Sequence, residues 1–316
     1  MPIAANQSFL GIAKEATPGT AAAATNFLPV TAMTPKIVAM YLPDDNMRGS
    51  NAKRYDQRLG VQYAEYDLAG ALFPDTFGFL ATGILGDVAT TGAGPFVHAV
   101  SLQNAGQPQS YTISDYNGFN TRQFAGAKFS DVSIKFAGNG LLDYTAKAWA
   151  SSFATTTKPA SSFTAVPAVP AWTGVSTLLG SASSLIVSGD INIKRTVEVI
   201  HNVDGLATPY AIFGGGDLEC TGSFMAVYED DSIYSTYLNG TQQALDFTWT
   251  QGTAVVKVHM STAQIIDAVV TRAGGKYVEL SCKFEAVANT TDKGASGGYS
   301  PVAISLTNAL PAGTYK

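Results

Sequence analysis

The side chains best suited to chemistry in this 316-residue chain are three histidines, two cysteines and a few close-set acids. His98, His201 and His259 stand far apart. None has a second ligand at metal spacing, and none sits with a Ser or Cys in a nucleophile elbow. Cys220 and Cys282 also lie outside any metal pattern and read as reduced, buried, small apolar residues. The stretch FGGGDLE (213–219) is the richest in glycine. It lacks the strand before and the helix after that let such a loop cradle phosphate, so it reads as a bulge or loop leading into a strand. Asp230 and Asp231 could pair for catalysis or metal binding, but their place at a helix start is explained by the helix dipole. NGT at 239–241 fits a glycosylation acceptor, which means little without a secretion signal. Nothing converges. An enzyme is the least expected class, and no catalytic residue, cofactor or metal is expected.

Bulk properties point to assembly. Charged residues are 14% of the chain, against about 25% in an ordinary soluble domain, and hydrophobic residues are 46%. A surface so poor in charge implies a covering partner or a second copy. The net charge is −5, and no basic run could neutralise a series of phosphates, so gripping of nucleic acid is not expected. The N-terminal MPIAANQSFLG shows no charged leader region, and no stretch of about 18 apolar residues exists to span a membrane. The chain is expected to be made in, and assembled from, a cytoplasm.

The elements available to position anything are strands and turns, and they come twice. Residues 30–49 (VTAMTPKIVAMYLPDDNMRG) match 188–205 (SGDINIKRTVEVIHNVDG), with Asn46 and Asn202, and Gly49 and Gly205, 156 apart. The alternating strand GVQYAEYDLAG leads to the helix PDTFGFLATGILG; DLECTGSFMAV leads likewise to EDDSIYSTYLNG. Pro74, Asp75 and Asp231 suit helix starts, Gly86 and Gly240 the stops, and Phe77, Leu80, Ala81 and Ile84 share one face. Further on, 131–150 matches 267–286 at an offset of 136, each copy two strands around a glycine turn. The change of offset places about twenty extra residues in the first copy, within 87–130. The Ser/Thr/Ala/Pro-rich stretch between the copies reads as a linker. The expected organisation is an arm (1–29), a first β domain (30–150), a linker (151–184), a second β domain (185–287) and a C-terminal arm (288–316).

The opening GIAKEATPGTAAAATNFLPVT resembles the N-terminal signature of phage tail tube proteins, the major tail proteins of long non-contractile-tailed phages. There a Gly-x-x-x-Glu-x-x-x-Gly-Thr run leads to an LPV strand. The matching positions are Gly11, Glu15, Gly19, Thr20, Leu28, Pro29 and Val30. MRGSNAKRYDQRLG resembles that family's Arg/Gly-rich segment before its first core strand. The resemblance implies a mainly β fold: two duplicated β-sandwich domains, each with a short flanking helix, giving strands to a tube-lining β-barrel. It implies a virion structural protein whose rings stack into the conduit for genome delivery. It also implies partners: other copies of itself, a tape measure, a tail terminator, and DNA passing through without specific binding. Arms 1–27 and 288–316 are expected to be flexible until a neighbour orders them. Two domains per chain favour a trimeric, pseudo-six-fold ring, with a true hexamer as the alternative.

A channel that passes DNA should not hold phosphate. Alternation places Tyr63, Glu65 and Asp67 on one face, and Asp217, Glu219, Thr221 and Ser223 on the matching face of the second copy. Glu65, Asp67, Asp217 and Glu219 are therefore the candidate lumen-lining acids, with a solvated outer face as the competing reading. Other readings left open are a capsid or tail-terminator component, or a carbohydrate-binding β-sandwich. The last would want grouped aromatics, whereas Tyr63, Tyr66, Tyr210, Tyr234 and Tyr237 are dispersed.

Overall fold

The alternating runs become strands throughout a computed structural model that describes residues 3–151 and 153–316. Met1 and Pro2 of the expected N-terminal arm, and Ser152 of the expected linker, lie outside the described residues. The first half supplies β1 (Phe9–Lys14), β2 (Asn26–Leu28), β3 (Ala32–Asp44), β4 (Asp56–Ala71), helix α1 (Phe77–Leu85), β5 (Gly86–Thr91), β6 (Phe96–Leu102), β7 (Tyr111–Tyr116), β8 (Thr121–Ala137) and β9 (Asp143–Ala150). After β10 (Ala154–Thr156) come β11 (Val175–Leu178), β12 (Ser181–Ser183), β13 (Ile186–Arg195), β14 (Glu198–Ile200), β15 (Ala211–Phe213) and β16 (Leu218–Val227). Helix α2 (Ser232–Leu238), β17 (Gln243–Gln251), β18 (Ala254–Thr271), β19 (Glu279–Ala286) and β20 (Ala303–Asn308) complete the chain.

One antiparallel sheet crosses both halves in the order β3-β4-β9-β8-β13-β16-β19-β18. Its strands alternate cleanly. Ala64, Tyr66 and Leu68 of β4 are buried, as are Leu280, Cys282 and Phe284 of β19, while the residues between them face outward. The buried face packs against a second layer made by the far ends of β8 and β18, which bend out of the sheet. There β8 pairs with β7 and β10, β7 pairs with β1, and β18 pairs with β17 and β20. Rings mark the contact between layers: Tyr66 meets Phe124 edge to face at 5.3 Å, and Phe136 meets Phe247 at 5.2 Å.

The two halves share registers as well as strand order. Met33 faces Leu68 across β3–β4, and Gly189 faces Phe224 across β13–β16. Asp67 faces Lys147 across β4–β9, and Ser223 faces Lys283 across β16–β19. Irregularities match too. The register shift between Phe129 and Asp131 on β8 recurs between Ile265 and Asp267 on β18, and that between Tyr111 and Ile113 on β7 recurs between Gln243 and Leu245 on β17. Between α1 and β7 lies the hairpin β5–β6, with no second-half counterpart between α2 and β17.

Three expectations need correction. First, helix α1 is not amphipathic: all of Phe77–Leu85 is buried. The sheet lies under it and the chain end covers it, with Gly83 against the Phe129 ring and Gly78 against the Tyr315 ring. Second, Asp231 stands at the N-cap of α2 as expected, but its side chain takes the Tyr228 hydroxyl, and it is Asp230 whose carboxylate accepts the Ser232 N–H, at 2.8 Å. Third, the two arms are packed within the subunit. Phe9, Leu10, Ile12, Phe27 and Leu28 are buried, and β1 pairs along its whole length with β7. At the other end β20 lies between β6 and β18, and Tyr315 is buried with its hydroxyl donating to Asp75 O at 2.7 Å. The apolar content of both segments explains this: it finds a core in its own chain. The linker also packs, since Val169 is buried and exchanges backbone bonds with Leu72 and Leu142.

Candidate functional site

The outward face of the long sheet carries rows of charge that cross strands. One row reads Asp67, Lys147, Asp131, Lys194, Glu219, each residue directly opposite the next on β4, β9, β8, β13 and β16. A second reads Asp143, Lys135, Asp190, Ser223, Lys283, Asp267. Directly opposed unlike charges stabilise a sheet, each by roughly 0.2–1 kcal/mol. Glu65 lies 3.8 Å from Lys36 and 3.7 Å from Lys147, and Asp267 lies 3.1 Å from Lys283. Asp190 accepts from Ser223 and Asn192. Partial burial pushes the Asp131 carboxyl up, and Lys194 and Lys147 draw it back.

Glu65, Asp67 and Glu219 therefore share one face. Asp217 is exposed one residue ahead of β16, outside the ladder. Read alone, β4 and β16 show acids without lysines. Lys36, Lys135, Lys147, Lys194 and Lys283 arrive on neighbouring strands, which no local pattern reveals. Acids still outnumber them on the face, since Glu65, Asp67, Asp131, Asp143, Asp190, Glu219, Asp267, Glu279 and Glu285 all point outward.

The sheet ends in two open edges. Among the described residues no strand pairs with the outer side of β3, nor with the outer side of β18 from Gln264 onward. The internal seam between the halves, β8 against β13, shows how such edges join. Val132 faces Ile193 and Ile134 faces Ile191 on the core side, while Asp131 faces Lys194 and Ser133 faces Asn192 outside. Arg195 secures the seam from behind. It is buried and donates to Ile84 O at 2.9 Å and Leu85 O at 3.2 Å, at the C-terminus of α1.

Two hairpins stand out from the ends of the sheet. The tip of β3–β4 exposes Tyr41, Leu42 and Met47, and the loop between β14 and β15 exposes Val203 and Leu206. Gly49 and Gly205 turn these loops with φ of 70° and 80°. The Gln62 N–H donates to Ala207 O at 2.8 Å, joining the two.

The N-terminal signature now has a physical cause. Glu15 is buried, and its carboxylate accepts from Gly19 N–H at 2.8 Å, Thr112 Oγ1 at 2.8 Å and Gly126 N–H at 2.7 Å. Gly11 leaves room for Ala24 and Phe27, since a Cβ there would stand 2.6 Å from Ala24 Cβ. Gly19 turns the chain with φ of 81°, Thr20 N–H closes the turn on Thr17 O at 3.0 Å, Leu28 is buried, and Pro29 O accepts from Tyr144 at 3.3 Å. The signature pins β1 and β2 to the domain.

One grouping has catalytic spacing that the sequence reading missed. His259 Nδ1 pairs with Asp246, and Nε2 lies 2.9 Å from Ser261 Oγ. Ser261 Oγ, however, donates to Asp292 Oδ1 at 2.6 Å, and Asp292 also takes Ser261 N–H and Asn289 Nδ2, each at 2.8 Å. The hydroxyl proton is held by a second carboxylate, so the group ties β17, β18 and the C-terminal segment together rather than activating a nucleophile. Cys220 and Cys282 are buried thiols, each pushed up to about 12 chiefly by burial. Among the described residues no group of three or more His, Cys, Asp or Glu could hold a metal ion, and no helix is long and apolar enough to cross a membrane.

Compared with known protein families, residues 5–309 match the family described as phage tail tube protein. No curated protein matches the chain.

Proposed function

The chain belongs to the phage tail tube protein family, and hence to the virion tail, and from that premise we propose that it polymerises into the stacked rings of the tube through which the genome is delivered. The observation that carries this is the sheet with one charged open face and two open edges. Edges of this length are an association hazard in a monomer; closing a ring uses them. The common strand order, registers and bulges of the two halves support an internal duplication of one four-stranded unit. Three chains would then supply six such units, which favours a trimeric, pseudo-six-fold ring over a hexamer. A barrel closed from these sheets would turn the charged face to the bore. There Lys36, Lys147 and Lys283 pair with carboxylates, Lys135 and Lys194 stand directly opposite acids, and the excess charge is negative, so phosphate finds no free cation row. The exposed hairpin tips fit contacts between stacked rings, and the ends of the tube would meet a tape measure and a terminator. The chemistry asked of the chain is none; its function is shape and surface.

Electron microscopy of concentrated purified protein tests this. Long hollow polymers whose cross-section shows three outer lobes are the expected result. Six identical lobes would instead give a hexamer, and a protein that stays monomeric at high concentration would overturn the reading.

A further inference from the structure

We propose that the open edge of β18 in one copy pairs antiparallel with β3 of the next copy in the register of the internal β8–β13 seam. This rests on the ring reading above and fixes its contact residue by residue. At the seam, Asp131 to Ala137 face Lys194 to Ser188 in descending order. On the strand β8, positions 129 and 131 flank the same shift that 265 and 267 flank on β18, so residue 133 corresponds to 269. On β13, Gly189 opposite Phe224 corresponds to Met33 opposite Leu68 on β3, so residue 192 corresponds to 36. Carried across, the seam pair Ser133–Asn192 becomes Val269 opposite Lys36 of the neighbouring copy. Likewise Val132–Ile193 becomes Ala268 opposite Ile37, and Ser188–Ala137 becomes Ala32 opposite Ala273.

The side chains suit this contact. Ala268 is buried on the core side, and Ile37 packs at the margin of the core, so their pairing extends the apolar layer between subunits. On the outer face, Lys36 and Asp267 have exposed side chains and opposite charge. The register sets them diagonally, within reach of a long side chain. Val269 is half-exposed in the free subunit and would be covered. Pairing of β18 with β18, or of β3 with β3, would be two-fold and stop at a dimer; β18 with β3 is heterologous and closes a ring. Pro35 falls opposite Val270 in this register and has no N–H to donate, so the proposed ladder lacks a bond from that residue.

The test is disulfide trapping in the full-length chain. Residues directly opposite have Cα atoms about 4.5–5.5 Å apart, within disulfide reach, whereas diagonal ones are about 7–8 Å apart. Lys36→Cys and Val269→Cys placed in one chain should, once assembled and oxidised, give a covalent ring that runs as a trimer on a non-reducing gel. The two single variants mixed should give covalent dimers and nothing larger. Lys36→Cys with Thr271→Cys should cross-link at least about tenfold less. Both native cysteines are buried, and the altered positions are exposed, so folding is checked simply by an unchanged melting curve. Rings or tubes in which Thr271→Cys traps as well as Val269→Cys, or in which Val269→Cys alone forms homodimers, would overturn the register while leaving the ring standing. Unmodified protein that forms neither rings nor tubes would overturn both.

Discussion

Glu15 holds Gly126: the buried carboxylate accepts the backbone N–H of that glycine at 2.7 Å, where β8 carries a φ of 70°. Two further donors, Gly19 N–H and Thr112 Oγ1, share the same carboxylate. Glu15→Ala leaves the buried Gly126 N–H and Thr112 Oγ1 without this acceptor, while the exposed Gly19 N–H can turn to water, and should cost about 3 kcal/mol. Glu15→Gln keeps one acceptor oxygen and should lose about half as much. Urea denaturation of the purified subunit measures both. Equal losses for the two variants would show that the charge-assisted bonds contribute little.

Removing residues 1–27 should prevent folding, not merely polymerisation. Phe9, Leu10, Ile12 and Phe27 are all buried, and each contributes about 1.5–3 kcal/mol by burial. Their sum approaches the whole stability of a domain, about 5–15 kcal/mol. The truncated chain is expected in the insoluble fraction or without a cooperative melt. A soluble, cooperatively melting truncation would show that this segment acts only between subunits.

Gly78→Ala should destabilise by about 1–3 kcal/mol through overpacking, because the new methyl would press on the Tyr315 ring. Limited proteolysis reads the consequence: the last residues, which lie over α1, should be trimmed faster than in the parent chain. Undiminished protection of the C-terminus would contradict the packing described.

Acid should weaken the subunit through His98. Burial lowers its pKa below the ordinary 6.5, despite bonds to Asn308 Oδ1 and Leu310 O. The folded form binds the proton less readily than the unfolded chain. The stability it contributes is therefore complete above about 6.5 and is lost as pH falls through the depressed value. Denaturation midpoints at about pH 8 and about pH 5 should differ less in His98→Asn than in the parent. An unchanged difference would place the acid sensitivity elsewhere.

Reversing charge on the open face should make assembled tubes retain DNA. Asp67→Lys with Glu219→Lys leaves two lysine-rich ends on the row that runs through Lys147, Asp131 and Lys194. Each change loses an unlike pair and sets a lysine opposite Lys147 or Lys194, a cost of roughly 0.4–2 kcal/mol per site, so electron microscopy first checks that tubes still form. DNA ejection from virions carrying the variant should slow, most at low salt. Normal ejection kinetics would argue that this face looks away from the bore.

The sequence by itself determined the β class, the place of both helices and the glycines that end them. These are local matters: side-chain period, turn residues and composition are written along the chain. It also carried the signature around Glu15, though not its meaning, because the donors at Thr112 and Gly126 lie about a hundred residues away. Only the tertiary structure decided that the ends are packed, since whether Phe9 or Tyr315 finds a core depends on what the distant β7 and α1 leave uncovered. It alone decided that lysines stand between the acids, because Lys147 and Lys194 reach Asp131 across strands, by register rather than by spacing. The same rule made the seam visible. Periodicity fixes which face a residue takes, but only strand pairing fixes which residue it meets.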